Sequence, residues 1–330
     1  MERWLERQYF WFGPVCIAGY TALWGPDVYV NDPLQASGFI LFFVGLLWSL
    51  KVPDRMSLTL SRLQARNVLS PASEVAALGT RLHRSARRWA RTASVVAVVL
   101  IEAAFIAAAG FSKPVLMVIE GVMAIPVGRF LGRAACYGRL GSELRSSRAI
   151  NMAVLPGHVD GAAGLRPVGS LYFFQAMLVS LIALYLSVWW LLMELVPRFE
   201  DRYGDWQGAY LGLFIVALCC VAAAFLCPMW TFHLSMREAK HTLAAEADRI
   251  SIQIADEEQR LLAMNGSVDT TRHQERLGRL VQRFRVIEKM PTWPVSAGLR
   301  SWFTANILAL PLPVIAGLIP ALLGSTLQGS

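Results

Sequence analysis

Glu102 and Glu120 are the residues whose type and position most invite chemistry. Each stands inside an apolar run, at 93–110 and 114–134, where an ionised side chain costs on the order of 2.5–3.5 kcal/mol at a helix centre. The turn between the runs falls near Ser112, ten residues after one acid and eight before the other. At the helical rise that puts them about 15 and about 12 Å down the two arms, at similar depth. Two carboxyl groups facing each other there need a proton, a cation or a hydrogen-bond donor between them. A proton or cation site is the functional reading, and a protonated or hydrogen-bonded pair that fixes helix packing is the alternative.

A second polar series runs through the apolar stretch at 170–195. Ser180, Ser187 and Glu194 recur at seven-residue intervals and so share one helical face. The stripe could line an aqueous path, or the hydroxyls could bond their own helix carbonyls. Before the run at 93–110, Arg81, Arg84, Arg87, Arg88 and Arg91 surround Trp89. Guanidinium groups on one face clamp phosphates, either lipid headgroups or a soluble anion such as a nucleotide. The loop 157–169 is rich in glycine and carries His158 and Asp160. It reads as a ligand loop or gate, or as a structured entry turn to the following helix.

Other motifs are lacking. No GxSxG, HExxH, Walker loop, kinase set or CxxC pair is present. No catalytic residue, metal site or cofactor is therefore expected, and the chain is read as a non-enzyme. His158 and Asp160 alone lack the further ligands of a zinc site. Cys16, Cys136, Cys219, Cys220 and Cys227 are odd in number and lie in or beside apolar segments, which suits buried reduced thiols.

The elements that must carry these groups are helices in lipid. Of 330 residues, 55% are hydrophobic and 16% charged, and the mean hydropathy is +0.45. That excludes an ordinary soluble globule, a disulfide scaffold and a disordered chain. Apolar runs at 9–24, 35–50, 93–110, 114–134, 170–195, 208–232 and 302–323 predict an all-α polytopic membrane protein of about seven crossings. Six is the alternative if 9–24, which holds Gly13, Pro14 and Gly19, fails to span. The N-terminus lacks a convincing cleavage site and is expected to be retained as a membrane segment. Asp27 and Asp32 in the first connection suit the outer side.

Charge assigns the orientation. The chain carries 31 basic residues, 27 of them Arg, and a net charge of +8. With the N-terminus inside and seven crossings, 28 of these cations face inward and only Lys113, Arg198 and Arg202 lie outside, as the positive-inside rule demands. The preference for Arg in an Ala-rich chain points to a bacterial coding bias, and hence to the bacterial cytoplasmic (inner) membrane.

Residues 208–264 read as one helix continuing well beyond the bilayer. Leu243, Ile250 and Met264 form a heptad series with Glu257 as its exception, and Ala247, Ile254 and Leu261 form the companion series. A turn at Asn265-Gly266-Ser267, with Asp269 as helix cap, leads to a second amphipathic helix carrying Leu277, Leu280, Val281, Phe284 and Ile287. The two should pair antiparallel as a coiled-coil-like hairpin in the cytosol. Nine acids against ten bases within 235–290 make it a poor platform for nucleic-acid duplexes. Three parts follow: 1–234 with cytosolic loops at 51–92 and 135–169, a hairpin at 235–298, and a final crossing at 299–330. In that crossing Pro311, Pro313, Gly317 and Pro320 predict a kinked or broken helix.

The expected function is an oligomeric ion channel or pore. Glu102 and Glu120, or the serine stripe, would line it, and a cytosolic anionic ligand in a stress or antiviral response would gate it. Two other classes stay open. One is a non-conducting signalling or scaffold protein that binds a partner through 235–290, and the other is a membrane enzyme or proton-coupled transporter that uses Glu102 and Glu120. The partners expected are the lipid bilayer, further copies of the chain, and an anionic ligand or a protein in the cytosol.

Overall fold

The computed structural model describes residues 11, 14–15, 17–19, 21–22, 25–26, 33–111, 114–196, 199, 203–263 and 269–316. Most of them are helical. The helices are α1 (Pro33–Ser49), α2 (Val52–Ala65), α3 (Ala72–Ala109), α4 (Pro114–Gly138), α5 (Leu140–Ser146), α6 (Arg166–Leu195), α7 (Gln207–Ala263), α8 (Asp269–Glu288) and α9 (Ala297–Ala309). Strands β1 (Leu69–Ser70) and β2 (Asn151–Met152) pair antiparallel and fasten the loop after α2 to the loop after α5.

Four helical stretches are long and apolar enough to cross a membrane: Ala72–Ala108, Arg166–Leu195, Gly204–Ala263 and Gly298–Ala316. They contain the expected crossings at 93–110, 170–195, 208–232 and the described part of 302–323. The runs at 35–50 and 114–134 fall in α1 and α4. Half of 9–24, including Cys16, lies outside the described residues. So do Asp27, Asp32, Ser112, Lys113, Arg198, Arg202, Met264, the turn at 265–267, Gly317, Pro320 and the end of the final run.

α6 is the centre of the packing. Tyr172, Ala176, Val179, Ala183, Leu186 and Trp190 recur three or four residues apart and are buried, so one continuous face meets its neighbours. Its chief partner is α7. At Gly169 the base of α6 closes on the chain after α8, where a Cβ would stand 2.6 Å from Val295 Cγ1.

α3 and α4 form the closest pair of helices. The Gly128–Gly132 spacing lies between helices of the same chain: Gly128 rests on the backbone of Ala93 and Ser94, and Gly132 on that of Trp89 and Ala90. Only a residue without a side chain permits such an approach. The Ser94 hydroxyl donates across the pair to Ile125 O at 3.1 Å. Further on, Gly138 faces the helix-interior Pro228 of α7, with 3.2 Å between its potential Cβ and the proline Cγ.

Aromatic rings collect at both ends of the apolar part of α7. At one end Trp189 stacks on Tyr210 at 4.5 Å and Phe105 meets Trp206 at 4.7 Å. At the other, His233 stacks on Trp293 at 4.5 Å beside Trp230. The stretch of α7 from Tyr210 to Trp230 is about 30 Å long at the helical rise, a bilayer's hydrocarbon thickness.

Beyond that level α7 continues and meets α8. Arg283 Nε donates to Glu246 at 2.9 Å, His273 Nδ1 lies 3.0 Å from Glu257, and Lys240 Nζ donates to the carbonyls of Glu288 and Met290. As the numbers fall along α7 they rise along α8. The cation of Lys240 sits at the carbonyl end of α8, where the helix dipole favours it.

Candidate functional site

The glycine contacts between α3 and α4 run in opposite directions along the two helices, and this register sets Glu102 across from Glu120. The Glu102 carboxylate lies against Gly121, close enough to Glu120 for the two charges to act on each other. Its Oε2 is buried with no hydrogen-bond partner among the described residues. The missing side chain of Gly121 leaves the space the carboxylate fills. The two acids therefore meet at one level of the helix pair, with an unmet demand for a proton, a donor or a cation.

The serine stripe is interior. Ser180 and Ser187 are both buried, and their hydroxyls donate to Met177 O at 2.8 Å and Leu184 O at 3.0 Å in their own helix. Glu194 is exposed and accepts a hydrogen bond from Gln207 Nε2, tying the end of α6 to the start of α7.

Asp160 organises the glycine loop. Its Oδ1 accepts the N–H groups of Ala162 and Gly164 at 3.0 Å each, and its Oδ2 meets Arg66 Nη1 at 2.5 Å. Burial opposes the charge on this carboxyl, but the two N–H groups and His158 outweigh it and hold the group below the usual aspartate range. Arg66 also donates to Gly164 O, so one guanidinium closes both sides of the turn. Gly157, Gly161 and Gly164 have φ of +75°, +64° and +88°, which glycine adopts without strain. The density of glycine thus follows from the turn. Among the described residues no group of three His, Cys, Asp or Glu side chains could hold a metal ion.

Between this loop and α8 lies a cleft of about 570 Å³. His158, Gly157 and Gly161 form one wall, and Gly278, Gln282, Arg285 and Lys289 form the other. The arginines of α3 do not line it. Arg84, Arg87, Arg88 and Arg91 are exposed along α3, and the structure does not bring them together with His158.

One turn from that arginine series, His83 links three helices: Nδ1 is 2.8 Å from Tyr137 Oη and Nε2 is 3.0 Å from Ser57 Oγ. Burial first, and then the charges of Arg87 and Arg133, lower its pKa below the ordinary 6.5. On α7, the heptad exception Glu257 is buried, its side chain 4% exposed, with His273, Arg276 and Arg260 around it. The hydrogen bond from His273 is the main reason its carboxyl lies below the usual glutamate range.

Sequence reasoning missed several of these groups. Glu257 was noted only as an exception in a heptad series, and nothing in the sequence named His273 as its partner. Nothing marked Arg66 as the partner of Asp160, because 94 residues separate them. Gln175 was also missed: it is fully buried in α6, with neither amide atom partnered among the described residues.

No family model, no curated protein and no solved structure matches this chain.

Proposed function

We propose that the chain is a polytopic protein of the bacterial cytoplasmic membrane, with about seven crossings and its basic loops inside, and that copies of it assemble into an ion-conducting pore. The observation that carries this reading is the Glu102–Glu120 pair, with its buried, unpartnered carboxylate oxygen between two apolar helical stretches. Repeated around a symmetry axis, one such pair per subunit makes an acidic ring that favours cations. Much of α3 is free to meet lipid or another copy, since Val95, Val96 and Val99 are exposed. The aromatic groups about 30 Å apart along α7 are consistent with two membrane interfaces.

In this reading α7 and α8 form a cytosolic antiparallel hairpin, and the side carrying the glycine loop receives the gating signal of a stress or antiviral response. Purified protein in planar bilayers should pass cation-selective current. Glu102→Gln with Glu120→Gln should abolish that selectivity, and Glu102→Gln should relieve toxicity on overexpression. Bilayers that stay silent across pH and added phosphates, together with an unchanged membrane potential in cells, overturn conduction. Substrate uptake without unitary currents would assign the acid pair to a proton-coupled transporter instead.

One observation favours a scaffold as the second reading. Ile252 and Leu262, on the far part of α7, are 64% and 85% exposed, apolar side chains that a partner could cover. Deleting 235–290 discriminates, since a scaffold loses all function and a pore still conducts.

A further inference from the structure

Four of the cations on α8 and just after it fall into two sets. Arg276 and Arg283 face α7 and are matched by Glu257 and Glu246. Arg285 and Lys289 face the glycine loop, and no acidic side chain lines the cleft they share with it. Neither has an acidic partner among the described residues. Four residues apart on a helix, two like charges repel, and nothing on the opposite wall offsets them.

That wall is built to come close. A Cβ on Gly157 would stand 2.9 Å from Val286 Cγ1, so the loop touches α8 at one edge of the cleft. Asp160 engages Nδ1 of His158 at 3.0 Å, which leaves Nε2 as the nitrogen available to a ligand. Asp160 itself is committed to Arg66 and to the loop's own amides, so its charge is already compensated. Gln282 adds an amide, and Val281, Val286 and Pro291 supply apolar surface. The volume, about 570 Å³, lies in the range of small-molecule sites, roughly 300–1,000 Å³.

We propose that this cleft binds a phosphate-bearing anion. The Arg285 guanidinium and the Lys289 ammonium take the phosphate oxygens, the first as a planar fork and the second as a point charge. Gln282 and His158 Nε2 bond the remaining polar groups. The phosphate can belong to a soluble nucleotide or to a lipid headgroup, since the loop leads directly into α6 and the cleft lies beside the Trp293 end of the apolar zone. Either way the ligand ties α8 to the base of α6. This binding does not depend on conduction.

The test uses the full chain and hydrogen exchange of 157–163 and 278–289, so its failure is distinct from a failure to conduct. In detergent, ADP and inorganic pyrophosphate are the soluble probes. In nanodiscs, phosphatidylglycerol is compared with phosphatidylcholine. Protection by ADP or pyrophosphate identifies a soluble ligand, and protection by phosphatidylglycerol alone identifies a headgroup. In both cases Arg285→Gln with Lys289→Gln should weaken the effect at least tenfold, while Arg272→Gln with Arg279→Gln, the same charge loss on α8 outside the cleft, should not. Gly278→Phe fills the cleft without changing charge at a position with open space around it, and should block protection even where the double variant folds poorly. Absence of protection in every arm, or equal loss in both charge pairs, overturns the proposal.

Discussion

Replacing Asp160 by Asn tests whether one carboxylate holds the glycine loop in shape. The carboxamide keeps an oxygen that can serve Ala162 and Gly164, which both bond Oδ1. Its NH2 then replaces Oδ2 and faces two donors, Arg66 Nη1 and the Arg166 N–H. The main loss is one charge-assisted hydrogen bond, about 1.5–3 kcal/mol. The Arg66 side chain is 30% exposed and rehydrates in part, which brings the expected cost to about 2 kcal/mol. That is roughly a thirtyfold rise in loop opening. Hydrogen exchange of the segment 160–166 in the purified chain should quicken by that factor. Asp160→Ala should quicken it further, because Ala162 and Gly164 lose their acceptor as well. Exchange within twofold of wild type in Asp160→Asn, or no worse in Asp160→Ala, would refute the reasoning.

Three further outcomes are expected. Gly132→Leu forces a side chain against the Trp89 carbonyl, at a cost of about 1–3 kcal/mol or more, and should expose the buried thiol of Cys136 to maleimide in peptide-resolved labelling. His83, held below its ordinary 6.5, contributes stability above that value which is lost as pH falls toward the lowered one. The melting temperature should therefore drop between about pH 7.5 and about pH 5.5, with a shallower slope in His83→Gln. Glu257→Gln should broaden the distance distribution between spin labels at 259 and 274. Wild type should broaden only as pH falls below the ordinary glutamate value of 4.5 toward the depressed one.

What the sequence made legible was whatever depends on local spacing. The four helices long and apolar enough to cross a membrane could be read because length and hydropathy suffice. The level meeting of Glu102 and Glu120 could be read because two helices joined by a short turn must run antiparallel. Glu257 announced itself as a charge on an apolar seam. Interactions between distant segments gave no such signal. Arg66 and Asp160 meet only after β1 and β2 pair and the turn closes, and the cleft exists only once α8 packs beside the loop. Ser180 and Ser187 show the opposite case, since a seven-residue stripe fits a water path and a buried face equally well. In one copy of the chain both are buried and bond their own helix.

α7 constrains how the two ends of the molecule can influence each other. It is one helix of 57 residues, about 85 Å long at the helical rise. It is held against α6 along its apolar part and against α8 along its polar part. A ligand that drew α8 toward the glycine loop would load the chain after α8, where Gly169 of α6 packs against Pro294 and Val295. It would also load α7 through the Glu246 and Glu257 contacts. Inside α7, Pro228 lacks an N–H to bond its own helix and packs on Gly138 at the end of α4. A bend there would move the helix pair that carries Glu102 and Glu120, because α4 is locked to α3 at Gly128 and Gly132. The acid pair and α8 are therefore connected through α4, the Pro228 ring, α7 and the ion pairs of Glu246 and Glu257.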